Sequence, residues 1–141
     1  MGATAGSAAE QSLAARLGLK AGQVVQEFGY DDDVDEELRS SIEDVTGNEL
    51  VDDEAQEVVD AAIYWWRDDD GDLVDALVDA LANLADGAVV WLLSPKSGRP
   101  GHVQPSDIED AAPTAGLHAT STISAGADWS GTRLAAPRNK R

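Results

Sequence analysis

The sequence contains no cysteine and only two histidines, His102 and His118. Without cysteine, the chain cannot form disulfide bonds, thiolate zinc sites or thiol nucleophiles. The two histidines are far apart and have no partner pattern around them, so neither a catalytic triad nor a histidine-rich metal site is predicted. We therefore assign no catalytic residue, no metal ligand and no cofactor from the sequence.

Long apolar segments are also missing. No run approaches the roughly 18 apolar residues of a membrane span, and the first residues have neither a basic leader nor an apolar stretch of signal-peptide length. We therefore expect a cytoplasmic protein that has no membrane partner. The sequence does not predict its oligomeric state.

A chain of 141 residues is long enough for one domain with its own core. The segment 1–11 is small, polar and without periodicity, which predicts a disordered tail. We expect residues 12–137 to form a single domain and residues 138–141 to form a basic tail.

Basic residues are scarce in the middle of the chain. The formal net charge is -17, and all but five of the 27 acidic residues lie in the segment 27–86, where the only basic residues are Arg39 and Arg67. This segregation argues against salt adaptation, which would spread carboxylates over the whole surface. The acidic middle repels a nucleic-acid backbone, whereas complementary charge speeds encounter with a basic protein. We therefore expect a basic protein partner and no direct nucleic-acid binding by the acidic face.

The hydrophobic pattern predicts an α/β layer fold in which helices alternate with strands and a hairpin follows. Leucines and valines at helical spacing between positions 73 and 84 predict a helix that ends at Gly87, and an earlier helix is expected to stop at Gly47. Ser106 and Glu109 predict a capping box for a helix that Pro113 stops. Strands are predicted at 24–28, 61–66 and 88–93, a hairpin at 118–137, and either a short strand or none at 49–51.

The stretch LGLKAGQVVQEFG resembles the entrance to the first strand of class I methyltransferases and other Rossmann-like domains. The later succession of AAIYWW, a Leu-rich helix, DGAVVWLLSPK, PSDIEDAAPTAGL and a hairpin resembles the second half of that fold. The resemblance implies a Rossmann-like three-layer fold with a mostly parallel sheet, closed by a C-terminal antiparallel hairpin.

The chain departs from this resemblance at the cofactor loop. In methyltransferases a glycine-rich turn brings the backbone close to the cofactor, but here Gly29 stands alone before Tyr30 and three aspartates. In this resemblance, the acidic residue that binds the cofactor ribose could correspond to Glu49 or Asp52. Aspartate is so common in this segment that such a match is expected by chance.

A second resemblance covers almost the whole chain, from about Leu17 to Pro137. Its signature is YWWRDDDGDLVDALVDALANLADGAVVWLLSPKSGRPGHVQPSDIEDAAPTAGL. On these residues the chain is similar to the actinobacterial domain-of-unknown-function family DUF3052. The resemblance implies no activity.

The first candidate site follows the strand predicted at 61–66. Trp66 could stack on a flat ligand, and Asp68, Asp69 and Asp70 could hold Mg²⁺ at the carboxyl end of the strand, where open α/β sheets bind ligands. The simpler interpretation is that these aspartates solvate the start of the next helix, with Asp70 or Asp72 as its N-cap.

The second candidate site is a basic cluster in the loop SPKSGRPGH. Lys96, Arg99 and His102 follow the strand 88–93, so we expect them on the same rim as Gly29 and Asp68. An anion could bind there, but pairing with the protein's own aspartates is the simpler interpretation.

These patterns favour a non-catalytic binding or regulatory protein that acts through its acidic surface. The alternative is a small-molecule binding protein for a nucleotide or an S-adenosylmethionine-like ligand, or a vestigial methyltransferase, that uses the candidate residues of the rim. A weaker alternative is an acidic mimic of nucleic acid that occupies a basic groove.

Overall fold

Strands and helices alternate along the chain in a computed structural model, which describes residues 13–136. The tails predicted at 1–11 and 138–141 therefore lie outside the described residues. The helices of the described part are α1 Leu13–Arg16, α2 Glu36–Thr46, α3 Leu73–Leu81 and α4 Pro105–Thr114. The strands are β1 Val25–Phe28, β2 Val59–Trp65, β3 Leu84–Pro95, β4 His118–Ser124 and β5 Trp129–Ala135.

The five strands form one mixed sheet in the order β1-β2-β3-β5-β4. Strands β1, β2 and β3 are parallel, and β5 lies antiparallel to both β3 and β4. Four strands therefore run in one direction, which confirms the mostly parallel sheet and the C-terminal hairpin. The sheet remains open, because the hairpin extends one edge and does not close the sheet on itself.

Helices cover both faces of the sheet. Side chains alternate along a strand, so Ile63 and Trp65 contact the core that α1 and α2 complete, while Ala62 and Trp66 contact the core of α3 and α4. This arrangement confirms the predicted three layers. Among residues 13–136, no helix has the length and apolar character needed to span a membrane.

Aspartates cap the beginning of two helices, and one of them, Asp72, is an N-cap that the sequence predicted. The Asp35 side chain accepts a hydrogen bond from the amide of Leu38 at 3.0 Å and caps α2. Helix α2 stops at Gly47, which has a left-handed backbone conformation. Asp72 caps α3 by accepting from the amide of Val74 at 2.9 Å.

The predicted end of the Leu-rich helix is wrong. Helix α3 ends at Leu81, and Leu84 already belongs to β3, where it pairs with Val59 of β2. The Val59 amide donates to the Asn83 carbonyl at 2.9 Å, and the Asn83 side chain donates to the Ala55 carbonyl at 2.6 Å. Sheet pairing thus takes over residues whose local periodicity favoured a helix.

The predicted capping box of the last helix is also wrong. Helix α4 begins at Pro105, so Ser106 lies inside its first turn and Gln104 occupies the N-cap without a side-chain hydrogen bond. Proline suits the first helical position, because its missing N–H has no acceptor there. Pro113 lies within the helix, which ends one residue later at Thr114.

The short strand considered at 49–51 is reduced to a single bridge. Val51 pairs in parallel with Gln26 on the outer side of β1. Its carbonyl accepts from the Glu27 amide at 2.8 Å, and its amide donates to the Val25 carbonyl at 3.0 Å. The bridge covers the middle of β1 at this edge of the sheet.

Candidate functional site

The carboxyl ends of β1, β2 and β3 lie at the same edge of the sheet, because the three strands are parallel neighbours. Gly29, Asp68 and Lys96 follow these strands, so both candidate sites from the sequence lie at this edge. The loops touch each other there, as the Asp68 amide donates to the Gly101 carbonyl at 3.0 Å. An open α/β sheet binds ligands at such an edge.

Gly29 makes a close contact between strand ends and leaves no room for a side chain. A Cβ atom added to it would collide with the Trp65 carbonyl oxygen, and its φ of +76° is left-handed. Gly29 stands where methyltransferases have their glycine-rich cofactor turn, and here it lets the chain leaving β1 pass directly over the end of β2.

Arg67 fills the space above this contact. Its Nη1 atom donates to the Gly29 carbonyl at 2.9 Å and to the Trp65 carbonyl at 3.0 Å, and its side chain is 12% exposed. One guanidinium therefore bridges the ends of β1 and β2. The rigid fork of an arginine side chain makes this possible, because its donors point in fixed, separate directions.

Two aspartates hold the guanidinium of Arg67 in place. The Asp33 carboxylate accepts from Nε at 3.0 Å and from Nη2, and the Asp70 carboxylate accepts from Nη1 at 3.3 Å and from the Arg67 amide at 2.9 Å. The hydrogen bond from Arg67 lowers the pKa of Asp33. Burial alone would lower the pKa of Arg67, but its hydrogen bonds and ion pairs with the two aspartates outweigh burial and raise it.

Trp129 at the start of β5 covers the other side of Arg67. The guanidinium carbon lies 5.3 Å from the ring centroid of Trp129, within the range of a cation–π contact. The indole also meets Trp65 edge to face at 4.9 Å and donates to the Asp33 carbonyl at 3.2 Å. The hairpin loop thus reaches across the rim and encloses the guanidinium.

Exposed aspartates surround this enclosed arginine. We call Asp31, Asp32, Asp33, Asp68, Asp69 and Asp70 the acidic rim; all six are exposed. Among the described residues, no group of three or more carboxylate or histidine side chains is arranged to hold a metal ion. Two of the six carboxylates are engaged by Arg67, and the rim offers a dense negative surface to solvent.

Trp66 directly follows β2 and is buried. It is 4% exposed, belongs to the core of α3 and α4, and meets Tyr64 edge to face at 5.7 Å. Burial raises the pKa of Tyr64. The stacking surface that the sequence suggested for a flat ligand is therefore taken up by core packing, and Trp66 does not line the exposed rim.

The three basic residues of the second candidate site take separate partners. Lys96 donates to the Ser124 hydroxyl at 2.8 Å, and Arg99 pairs with Asp128 at 2.6 Å. The Nδ1 atom of His102 lies 2.9 Å from the Pro95 carbonyl. Self-pairing with an aspartate thus occurs for Arg99, but through the hairpin loop and not through Asp68, Asp69 or Asp70.

A buried charge network beneath the rim was missed by the sequence analysis. Glu27 is buried in β1 and accepts two hydrogen bonds from Arg39, at 2.7 and 2.9 Å, and one from the Trp65 indole at 2.9 Å. These bonds, together with one from Arg39 to Glu36 at 3.0 Å, raise the pKa of Arg39 in spite of its burial. The network fixes α2 against the sheet.

The charge pattern of the sequence contains a signal for Arg39 and Arg67, although neither was predicted as a site residue. Arg39 and Arg67 are the only basic residues in the acidic segment 27–86, and each is bound by carboxylates inside the structure. A solitary arginine in a strongly acidic segment therefore indicates an internal ion pair. The partners Glu27, Asp33 and Trp129 come from distant positions and have no comparable local signal.

Two cavities of the described part are small. One of about 100 Å³ lies between α4 and the sheet, and one of about 210 Å³ lies near Leu17, Asp60 and Gly87. Sites for small organic ligands usually measure about 300 to 1,000 Å³. Neither cavity is lined by a residue of the acidic rim.

The chain is similar in sequence to proteins whose function is unknown. A family model described as "Protein of unknown function (DUF3052)" matches residues 14–138. Uncharacterized proteins of Mycobacterium tuberculosis and Mycobacterium bovis are each 47% identical over 129 residues, which cover 92% of this chain and 81% of the relative.

Solved structures with a similar fold include methyltransferases. The pyocyanin biosynthetic protein PhzM has a TM-score of 0.62 at 12% identity, and the match covers 92% of this chain but only 56% of PhzM. A SAM-dependent methyltransferase from Aquifex aeolicus has a TM-score of 0.58 at 14% identity, with 86% of both chains covered. Identities this low establish the fold alone, and they confirm the Rossmann-like α/β architecture.

Proposed function

We propose that this chain, which belongs to the DUF3052 family of proteins of unknown function, is a non-catalytic binding protein that recognises a basic partner protein. The acidic rim is the proposed contact surface. The observation that carries the proposal is the position of Arg67, which occupies the edge where a Rossmann-like domain would hold a ligand.

The contacts of Arg67 fill this edge of the sheet and satisfy the polar groups at the strand ends. The guanidinium satisfies the Gly29 and Trp65 carbonyls and is itself paired with Asp33 and enclosed by Trp129. A ligand that took its place would have to replace these hydrogen bonds and leave an arginine without its partners, which is costly for a largely buried charge. We infer that the domain keeps this arginine during function.

The charges around Arg67 support a basic partner. Asp31, Asp32, Asp68 and Asp69 are exposed at the rim beside it, and the formal charge of the chain is -17. Opposed surface potentials increase the rate of encounter and exclude acidic competitors. The same charges oppose the approach of a nucleic-acid backbone.

Affinity capture with the full chain tests the contact surface. The rim variant replaces Asp31, Asp32, Asp68 and Asp69 by asparagine and spares the two aspartates that hold Arg67. A matched control replaces Glu49 and Glu57 by glutamine and Asp53 and Asp86 by asparagine, all of which are exposed outside the rim. Both variants lose four carboxylates, so a difference between them reports position and not net charge.

We expect the wild-type chain and the control to retain a basic protein whose recovery falls sharply between about 50 and 200 mM salt. The rim variant should retain much less of it. Equal recovery by the two variants would contradict the rim as the contact surface, and recovery of no basic protein would contradict the function.

The alternative function, binding of a nucleotide or an S-adenosylmethionine-like ligand, is tested by thermal shift. A ligand that binds only the folded state raises the melting temperature, so on our proposal neither class of ligand changes the melting temperature of the wild-type chain. A clear rise of the melting temperature with S-adenosylmethionine would favour the alternative function, in which the ligand binds at this edge and displaces the Arg67 side chain. Native mass spectrometry of the purified chain checks the same point, because it reports any co-purified small molecule.

A further inference from the structure

The cavity of about 100 Å³ has a polar floor under an apolar wall. The floor consists of side chains from β3, β4 and β5 that point to the same face of the sheet: Ser94, Thr122, Ser130 and Thr132. The wall consists of Val103, Pro105, Ile108 and Ala119. Ser94 and Thr132 are buried on a face of the sheet that a helix covers, where apolar side chains are usual, whereas Thr122 is exposed.

Two of these hydroxyls are on buried residues and have no partner on the protein. Ser94 is 4% exposed and Thr132 is 8% exposed, and within residues 13–136 neither hydroxyl makes a hydrogen bond to another residue. Every fully enclosed side-chain nitrogen or oxygen among the described residues does have a partner. The two hydroxyls are therefore accessible from the cavity, where water or a ligand can supply their hydrogen bonds.

His102 also lines the cavity. Its Nδ1 atom lies 2.9 Å from the Pro95 carbonyl oxygen, which can only accept, so Nδ1 carries the proton of this hydrogen bond. In the neutral imidazole the Nε2 atom is then an acceptor. Glu109 of α4 also lines the cavity and adds a carboxylate acceptor.

The hydrogen-bonding groups that line the cavity indicate which kind of ligand can bind there. The Glu109 carboxylate accepts hydrogen bonds, and hydroxyls adapt to either role. A group with several donors, no acceptor and a positive charge satisfies all of them, whereas an anion meets the charge of Glu109 and of the chain as a whole. The apolar wall suits a short run of methylene groups behind the charged end.

We propose that this cavity receives the ammonium end of a lysine side chain. The inference deepens the proposed function and rests on it, since the lysine belongs to the basic partner. The cavity reaches the edge of the sheet that carries the acidic rim, because Ser94 and Pro95 at the end of β3 line it, so one partner surface can contact both. A neighbouring contact already shows this pairing, because the Lys96 ammonium donates to the Ser124 hydroxyl at 2.8 Å.

Titration of the isotope-labelled full chain with short peptides, followed by amide chemical shifts, tests the inference. The probe peptide contains one lysine with glycine on both sides and has blocked ends. Two matched peptides carry acetyl-lysine or arginine in its place. The titrations use about 150 mM salt, so that the attraction of exposed charges is screened beyond about 8 Å.

We expect saturable shifts at the amides of His102, Ser130 and Thr132 with the lysine peptide and none with the acetyl-lysine peptide. The arginine peptide should bind more weakly, because a planar guanidinium is wider than an ammonium group. The Glu109→Gln variant should weaken binding about tenfold, and Thr132→Val should weaken it about two- to tenfold. Glu109 is exposed, so the first variant keeps the fold even if the second does not.

The outcomes separate this inference from the proposed function. Equal shifts with lysine and acetyl-lysine, or unchanged affinity in Glu109→Gln, would overturn the cavity as an ammonium site. Amide shifts confined to the residues of the acidic rim would also overturn the cavity as an ammonium site. They would remain consistent with the proposal that the chain binds a basic partner protein. Binding at the cavity together with no captured basic protein would sustain the ammonium site and contradict the proposed function.

Discussion

The guanidinium of Arg67 donates a 2.9 Å hydrogen bond to the carbonyl oxygen of Gly29 and thereby joins the ends of two adjacent strands. In open α/β folds this position is where a ligand crevice forms. Here the chain's own side chain occupies it, between Asp33 and the Trp129 ring. The same edge that binds cofactors in other Rossmann-like domains is used in this one to hold strands and loops together.

Arg67→Ala should destabilise the fold, because two strand-end carbonyls lose their donor and two carboxylates lose their cation. We expect a loss of about 2 to 3 kcal/mol in the free energy of unfolding, measured by urea denaturation at neutral pH. Arg67→Lys keeps the charge but cannot reach the same acceptors with one ammonium group, so it should recover less than half of the loss.

Arg99→Ala is the matched control for this prediction. Arg99 pairs with Asp128 on the surface, where both side chains are largely exposed. Exposed ion pairs contribute about 0 to 1 kcal/mol. A similar loss for Arg67→Ala and Arg99→Ala would mean that the guanidinium of Arg67 does not bridge the strand ends.

Gly29→Ala tests the close passage between β1 and β2. The new methyl group would meet the Trp65 carbonyl oxygen, and the backbone would also remain left-handed. Gly47 has a similar φ of +78° but open space around it, so Gly47→Ala isolates the conformational cost of about 1 to 2 kcal/mol. We expect Gly29→Ala to cost at least about 2 kcal/mol more in urea unfolding, and equal costs would show that the strand ends separate easily.

The sequence predicts the layers of this fold well, because they depend on local periodicity. The run AAIYWW is short, apolar and bounded by charge, and it forms most of β2; Asp35 and Gly47 bound α2 by local cap geometry. The end of α3 was not predictable in the same way. Leucine spacing favours a helix through Leu84, but pairing with Val59 places that residue in the sheet, and the spacing carries no information about a distant strand.

The candidate site was predicted only as far as its location. The rule that parallel strands end at one edge correctly brings Gly29, Asp68 and Lys96 to the same rim. The contacts that define the rim join Arg67 to Asp33 and Trp129 across the chain, so no local motif reveals them. The hydroxyl floor was likewise invisible, because serines and threonines in strands are common and only the sheet register aligns Ser94 with Ser130.

Glu27→Gln should show how strongly the buried charge network stabilises the fold. The carboxylate accepts two hydrogen bonds from Arg39 and one from Trp65. Breaking a fully buried pair costs about 3 to 5 kcal/mol, and the partial exposure of Arg39 reduces our expectation to about 2 to 3 kcal/mol.

Glu36→Gln provides the control, since Glu36 binds the same arginine from the surface and is 61% exposed. It should cost less than about 0.5 kcal/mol. A double-mutant cycle of Glu27→Gln with Arg39→Met then gives the coupling free energy directly. A coupling close to zero would contradict the pairing of Glu27 with Arg39 as the source of the stabilisation.

Asp33 should make the stability of the fold depend on pH in the acid range. The hydrogen bond from Arg67 lowers the pKa of Asp33 in the folded state, so its contribution is fully present above the unfolded pKa of about 3.9 and is lost as the pH falls through the folded pKa. Because the side chain is 55% exposed, we expect Asp33→Asn to cost less than about 1 kcal/mol at pH 7.

The difference in unfolding free energy between wild type and Asp33→Asn should stay constant from about pH 7 to pH 5 and shrink below about pH 4. Asp32→Asn removes a charge from the adjacent position, whose carboxylate does not contact Arg67, and its difference from wild type should be smaller at neutral pH. Urea titrations at several pH values measure both differences. If the Asp33→Asn difference grew on acidification, the folded-state pKa of Asp33 would be raised, and its carboxylate could not be a stabilising partner of Arg67.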